Sequence, residues 1–455
     1  LTRTHRLILS GIVALYLALG AAYSVRTPAW QAPDEPAHAN YIAQIAADGC
    51  CPIIAAGDYD QAYLDSLRGA AFAPDTLTRL DSIEYEDHQP PLYYLLASLV
   101  YRLSDGSLTA LRLFSVVLGA AAILCAFWIG RALFPTRIGV ALAAAALVAF
   151  VPQRLAIMAS VNNDALADAI VGIAFVALIV ALRTARARAW IGVGVIVGVG
   201  FMTKTTIYWL AGIMPLAILI AGMARPPSAD GQIAWIISRW IAFLIPALAF
   251  GAIWWARNLG VYGGADFLGL GAHDAVVIGQ PRTADLIAQI GTLDYLRRAF
   301  ETTFTSFWGQ FGWMARPLPA WALAGIAALL GVAVVGWITA VARFQGRAFQ
   351  QWAFQRNAPT DGAAWRRAAW IALLTGVVLT IAQMAIYNLT FIQFQGRYLF
   401  PALIPVALML ALGWERAVVW IGRGRGESAW GVAFPAALIA LNLFVLWREL
   451  PALAP

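Results

Sequence analysis

Apolar residues fall in long blocks along this chain, separated by short polar or charged stretches. A membrane-spanning helix needs about 20 mostly apolar residues. By that measure the pattern predicts helices near residues 7–25, 108–134, 138–157, 165–182, 190–202, 207–223, 233–256, 318–341, 368–386, 399–414 and 429–447. The segment 190–223 is too long for one span, so it reads as two short crossings that meet at Thr203, Lys204, Thr205 and Thr206. About thirteen helical residues at ~1.5 Å each fall short of a ~30 Å hydrocarbon core. Lys204 therefore lies at or below headgroup level, where an ammonium needs an anionic partner.

Composition turns this pattern into a class. Of 455 residues, 61% are hydrophobic and 12% charged, more apolar surface than a water-facing domain can hide. The expected fold is all-α: a polytopic integral membrane protein of about eleven helices, forming a single transmembrane domain over 1–455. The first apolar run follows Arg3 and Arg6, as a signal peptide would, and is read as a retained helix.

The net charge of +7 does not point to nucleic acid, because the basic residues sit in short clusters between apolar runs. Alternate connections carry them: Arg131 and Arg137; Arg183, Arg186 and Arg188; Arg225; Arg343, Arg347, Arg356, Arg366 and Arg367; Arg416, Arg423 and Arg425. The positive-inside rule makes these loops and the amino terminus cytoplasmic. Two long loops, 26–90 and 257–317, then lie on the outer or periplasmic face of the cell's inner membrane. The first holds about half of the 24 acidic residues. Its apolar and aromatic residues predict short helices on the membrane surface. Cys50, Cys51 and Cys125 show neither a zinc spacing nor a disulfide framework.

The sharpest local feature is Pro33-Asp34-Glu35-Pro36-Ala37-His38, just beyond the first helix. Two carboxylates and an imidazole between rigid prolines suit general base catalysis or a divalent metal, although a solvated loop would also read this way. His38 and His88 fit either metal ligands or hydrogen-bonded structural histidines. The 19 tryptophans mark membrane interfaces, and the segment Phe307-Trp308-Gly309-Gln310-Phe311-Gly312-Trp313 could also stack on a sugar.

Taken together, these pieces resemble a known family. Pro-Asp-Glu-Pro-Ala-His after the first helix looks like the first-loop acidic motif of the GT-C superfamily, which includes protein O-mannosyltransferases of glycosyltransferase family 39 and the lipid A aminoarabinose transferases. His88-Gln89-Pro90-Pro91-Leu92-Tyr93-Tyr94 resembles the segment closing that loop, and Leu111-Arg112-Leu113-Phe114-Ser115 the next helix start. Asn162-Asn163-Asp164-Ala165-Leu166 resembles the second acidic motif, and Thr203-Lys204 and Gln395-Gly396-Arg397-Tyr398-Leu399-Phe400-Pro401 the later ones. The likeness runs from about residue 1 to 405.

The resemblance implies an inverting transfer of a sugar from a polyprenyl-phosphate donor to an acceptor hydroxyl on a lipid, glycan or protein. Asp34 is the implied base, with Glu35 in reserve. Asp164 would orient the acceptor or join Asp34 around a metal, unless it simply caps a helix. A divalent cation (Mg or Mn) would use Asp34, Asp164, His38 and His88. Lys204, Arg257, Arg397 and Tyr398 would hold the departing phosphate, with Gly396 letting the backbone approach it. A transporter or lipid flippase would show mirrored halves, which this asymmetric charge pattern lacks. Against a polysaccharide polymerase or ligase using diphosphate donors, the motif order alone argues.

Overall fold

A computed structural model describes residues 2–225, 231–344, 361–421 and 433–455. Arg347, Arg356, Arg423 and Arg425 lie outside the described residues. Nine helices among those described are long and apolar enough to cross a membrane, or ten if one bent pair counts as a single span. Eleven is reached only by adding α9 (Ala187–Phe201), whose 15 residues are short for a span. After α9, a short 3-10 turn at Thr205–Ile207 leads into α10 (Leu210–Met223), so the two crossings meet where Lys204 was expected to sit.

The predicted helix 138–157 divides instead. α6 (Ile138–Phe150) and α7 (Pro152–Met158) are bent by 61° across Val151. Pro152 has no N–H for α6 to use and is preformed for the first turn of a new helix. α7 carries Arg154 into the bundle, where it is fully buried and bonded to Asp168 of α8 (Asp164–Thr184) at 2.6 and 2.9 Å. Two charges inside apolar runs are tolerable because they pair, with Arg154 also donating to the Val148 and Gly119 carbonyls.

α1 (Arg3–Arg26) packs on α5 (Leu108–Leu133), which also lies against α6 and α8, and the large core is built mainly on these helices. α15 (Ala320–Phe344) and α17 (Leu403–Ile421) cross through glycines: a Cβ on Gly336 would overlap the Gly413 carbonyl. Between them in sequence, α16 (Asp361–Tyr387) packs on α10. α18 (Ala433–Phe444) is the last α-helix described, and a π-helical turn at Val445–Glu449 follows it; Asn442 of α18 is bonded to Tyr23 and to the Phe150 carbonyl.

The first long loop folds into helices: α2 (Glu35–Asp48), α3 (Gln61–Gly69), a 3-10 segment at Pro74–Ser82, and α4 (Leu92–Leu103). Cys50 and Cys51 are bonded to each other there, a pairing the spacing does not suggest. α11 (Gln232–Tyr262) runs past its expected end, and α12 (Leu270–Val276), α13 (Thr283–Ile290) and α14 (Thr292–Trp308) follow. Tyr63, Leu67 and Tyr85 of the first loop share a small core with Val277 and Phe391, so these connections assemble at one end of the bundle.

Candidate active site at one end of the bundle

Asp34 immediately precedes α2 in a left-handed backbone conformation, φ 66°, which Asp tolerates better than most residues. A residue in this place ordinarily caps its helix. The Asp34 side chain makes no cap bond. Its carboxylate instead accepts the Tyr85 hydroxyl at 2.8 Å and a charge-assisted bond from Arg397. Burial alone would raise its pKa, but the guanidinium of Arg397, with help from the Tyr85 bond, lowers it to about 2.

Arg397 lies in the 3-10 turn Gly396–Ala402 that begins the tenth predicted span. Its side chain is 5% exposed, and its Nε and Nη1 are buried with no protein acceptor. A cation that is half satisfied in a buried place is a ready anion site. Gly396 serves packing, not ligand approach: a Cβ there would collide with the backbone of Phe307 in α14, and its N–H donates to Ser306 Oγ at 2.8 Å.

Asp164 opens α8 and is ion-paired with Lys204 at 2.6 Å. Lys204 also donates to Asn163 Oδ1 at 2.7 Å. Asp164 does not cap α8: the N-cap is Asn163, without a side-chain cap bond, and the Asp164 N–H donates to Asn162 Oδ1 at 2.8 Å, leaving the carboxylate free for the lysine. His38 feels both cations and both carboxylates. Burial first, then Lys204, depresses it to about 3, so it is neutral at ordinary pH.

Beside Asp34 opens a cavity of about 570 Å³, lined also by Tyr85, Glu86, Trp313, Gln395 and Tyr398. That is within the usual size of small-ligand sites. Glu86 is the second carboxyl there: burial, then the charge of Asp34, raises it to about 7. It was hidden in the sequence among many acidic residues of the loop. His273, which also lines the cavity, sits against His88 with ring centroids 4.3 Å apart. Gln310 and Trp313 bring the aromatic 307–313 segment into the wall, and Trp313 donates to the Trp30 carbonyl at 2.8 Å.

Three expectations need correction. Glu35 is completely buried, and its carboxylate is taken by Arg112 at 2.6 and 2.8 Å and by the Val161 and Trp30 N–H groups, so no lone pair is left for a proton from an acceptor. Arg257 lies within α11, because that helix continues beyond residue 256. It bonds to Asn258, Tyr262 and the Cys51 and Pro52 carbonyls and stacks on Trp254. It is therefore occupied as a tie between loops.

Asp34, Asp164, His38 and His88, finally, do not form a metal ligand set. His38 Nδ1 is bonded to Tyr94, His88 Nδ1 to the Tyr85 carbonyl, and the two aspartates to their cations. Among the described residues, the group of three acidic or imidazole ligands that converges is Asp58, Glu84 and Asp87, in the first loop.

The fold and site together define a helical, multi-pass membrane protein whose acidic loop meets two buried cations at one end of its bundle. Residues 88–254 match the family model of dolichyl-phosphate-mannose-protein mannosyltransferases, which bears out the likeness to the GT-C membrane glycosyltransferases. The matched segment contains Asp164 and Lys204, while Asp34 and Arg397 lie outside it. No curated protein matches the chain in sequence.

Among the solved structures to which the chain is similar are two membrane proteins. One is the archaeal oligosaccharyltransferase AglB from Archaeoglobus fulgidus in complex with an inhibitory peptide and a dolichol-phosphate, at 13% identity and TM-score 0.48, covering 99% of this chain and 56% of that one. The other is ArnT from Cupriavidus metallidurans bound to undecaprenyl phosphate, at 12% identity and TM-score 0.43, covering 98% and 74%. The chain thus spans little more than half the length of AglB.

Proposed function

We propose that this protein is an inverting glycosyltransferase that moves a sugar from a polyprenyl-phosphate donor to an acceptor hydroxyl at the outer membrane face. The observation that carries this reading is the contact between Asp34, the first carboxylate of the acidic motif, and Arg397, a buried cation with two unsatisfied nitrogens, at the edge of a cavity. A base and an anion receptor in contact are what displacement of a phosphate needs. The acceptor oxygen forms its bond to the anomeric carbon and gives its proton to Asp34. The bond from that carbon to the phosphate oxygen breaks, and its electron pair leaves with the phosphate.

A carboxylate held at about 2 is a weak base. Donor binding corrects this if Arg397 turns its unsatisfied donors to the phosphate, because the cation that depresses Asp34 is then shared with a new anion. Lys204, held by Asp164, supplies a second positive charge nearby. Tyr398 lines the cavity beside Arg397 and is placed to touch the same head group.

The test is transfer from radiolabelled polyprenyl-phosphate sugars by the purified chain in nanodiscs. Asp34→Asn keeps the size and the Tyr85 bond but takes no proton, so the expected result is donor binding with turnover reduced at least ~100-fold. Full activity in Asp34→Asn with an inactive Glu86→Gln would move the base to Glu86, the other buried carboxyl of the cavity. Full activity in both would overturn the mechanism.

A further inference from the structure

A second recess, of about 290 Å³, lies among the ends of α5, α8 and α16 and is lined by Trp128, Arg131, Arg183, Trp365 and Arg366. Three arginines converge on it with no carboxylate in the lining. Among the described residues, none of the three is in an ion pair or hydrogen bond with protein. Each guanidinium instead stacks on a tryptophan: Arg131 on Trp128 at 5.2 Å, and Arg183 and Arg366 on Trp365 at 5.4 and 5.3 Å. Stacking on a ring face fixes a guanidinium in direction and leaves the N–H groups at its edge free to donate.

The position of the recess narrows the ligand. Asp164 and Arg183 stand near opposite ends of α8, nineteen residues apart, which at ~1.5 Å per residue is ~28 Å, the thickness of a hydrocarbon core. The recess therefore lies at headgroup level on the membrane face opposite the Asp34 cavity. Tryptophan belongs at that depth, and so does a lipid phosphate.

We propose that this recess binds the phosphate headgroup of one anionic phospholipid, its acyl chains lying along the apolar surfaces of α5 and α16. Snorkelling would account for arginines at a helix end, but not for three of them turned into one recess that, among the described residues, has no acidic side chain in its lining. The proposal concerns a site separate from the sugar-transfer reading and does not depend on it.

The test is native mass spectrometry of the full chain, delipidated in detergent and offered phosphatidylglycerol and phosphatidylcholine in equal amounts. The expected result is one retained phosphatidylglycerol per chain, with a preference of at least ~10-fold that is lost in the Arg131→Gln/Arg183→Gln/Arg366→Gln triple variant. Arg183 and Arg366 are exposed, and a melting curve on each sample verifies that the variant is folded. Equal retention of the two lipids, or an unchanged preference in the triple variant, would overturn the proposal. Displacement of the lipid by millimolar inorganic phosphate would also overturn it, by showing a receptor for soluble phosphate.

Discussion

At the scale of single residues, neighbouring Asp34 and Glu35 have opposite employments. Asp34 borders the cavity, with its side chain 19% exposed, whereas Glu35 is sealed against Arg112. Arg112 also bonds to the Ser24, Thr27 and Pro28 carbonyls and so fastens the end of α1. Removing one partner of a buried pair leaves the other uncompensated, at a cost of about 3–5 kcal/mol. Glu35→Gln is expected to lower the melting temperature and the yield of folded protein more than Asp34→Asn, because the Asp34 carboxylate is 19% exposed and that of Glu35 is fully buried. Equal melting temperatures for Glu35→Gln and wild type would show that Arg112 finds another partner.

The motif as a string could not separate these roles, because both residues are acidic and adjacent. Their partners separate them: Asp34 meets Arg397, 363 residues further along the chain, whereas Glu35 meets Arg112. Lys204 was more legible. Its depth in an apolar region demanded an anion, and Asp164 provides one. Arg154 and Asp168 carried the same signal, each a charge inside an apolar run, but the proline between α6 and α7 concealed that they face each other.

At the scale of elements, long apolar blocks made the spans readable, since a bilayer sets their length independently of partners. Contacts between helices were not readable, because lipid-facing and helix-facing positions are both apolar. The crossing of α15 and α17 is a case. A Cβ at Gly336 meets the Gly413 carbonyl, whereas one at Gly325 on the same helix meets nothing within 4 Å. Gly336→Ala is expected to destabilise by about 1–3 kcal/mol through forced separation of the helices. Gly325→Ala should be neutral or gain up to ~1 kcal/mol from helix propensity. Thermal unfolding of both variants in one detergent tests the contrast, and similar shifts would mean that the helices do not cross here.

At the scale of the whole molecule, the acidic cavity and the arginine-rich recess occupy opposite ends of α8, so the chain is electrically polar along the membrane normal. We propose, from the positive-inside rule, that the cavity faces outside. Single cysteines at Asp75 and Arg186, both exposed, in a background without Cys50, Cys51 and Cys125, provide the measurement. Impermeant label added to intact cells should reach position 75 and not 186. The reverse pattern would turn the molecule over and place the cavity in the cytoplasm.

Ser306 gives this architecture a mechanical property. Its hydroxyl receives the Gly396 N–H and reaches the Phe394 and Thr302 carbonyls, which pins the turn carrying Arg397 to α14. The same helix runs directly into the hairpin that holds Gln310 against Gln153 and Trp313 against Trp30. The cavity wall and the cation behind it thus share α14 as a common support, fastened at Ser306. A displacement of the hairpin by a ligand in the cavity is therefore expected to reach Arg397, and through it the charge that Asp34 feels.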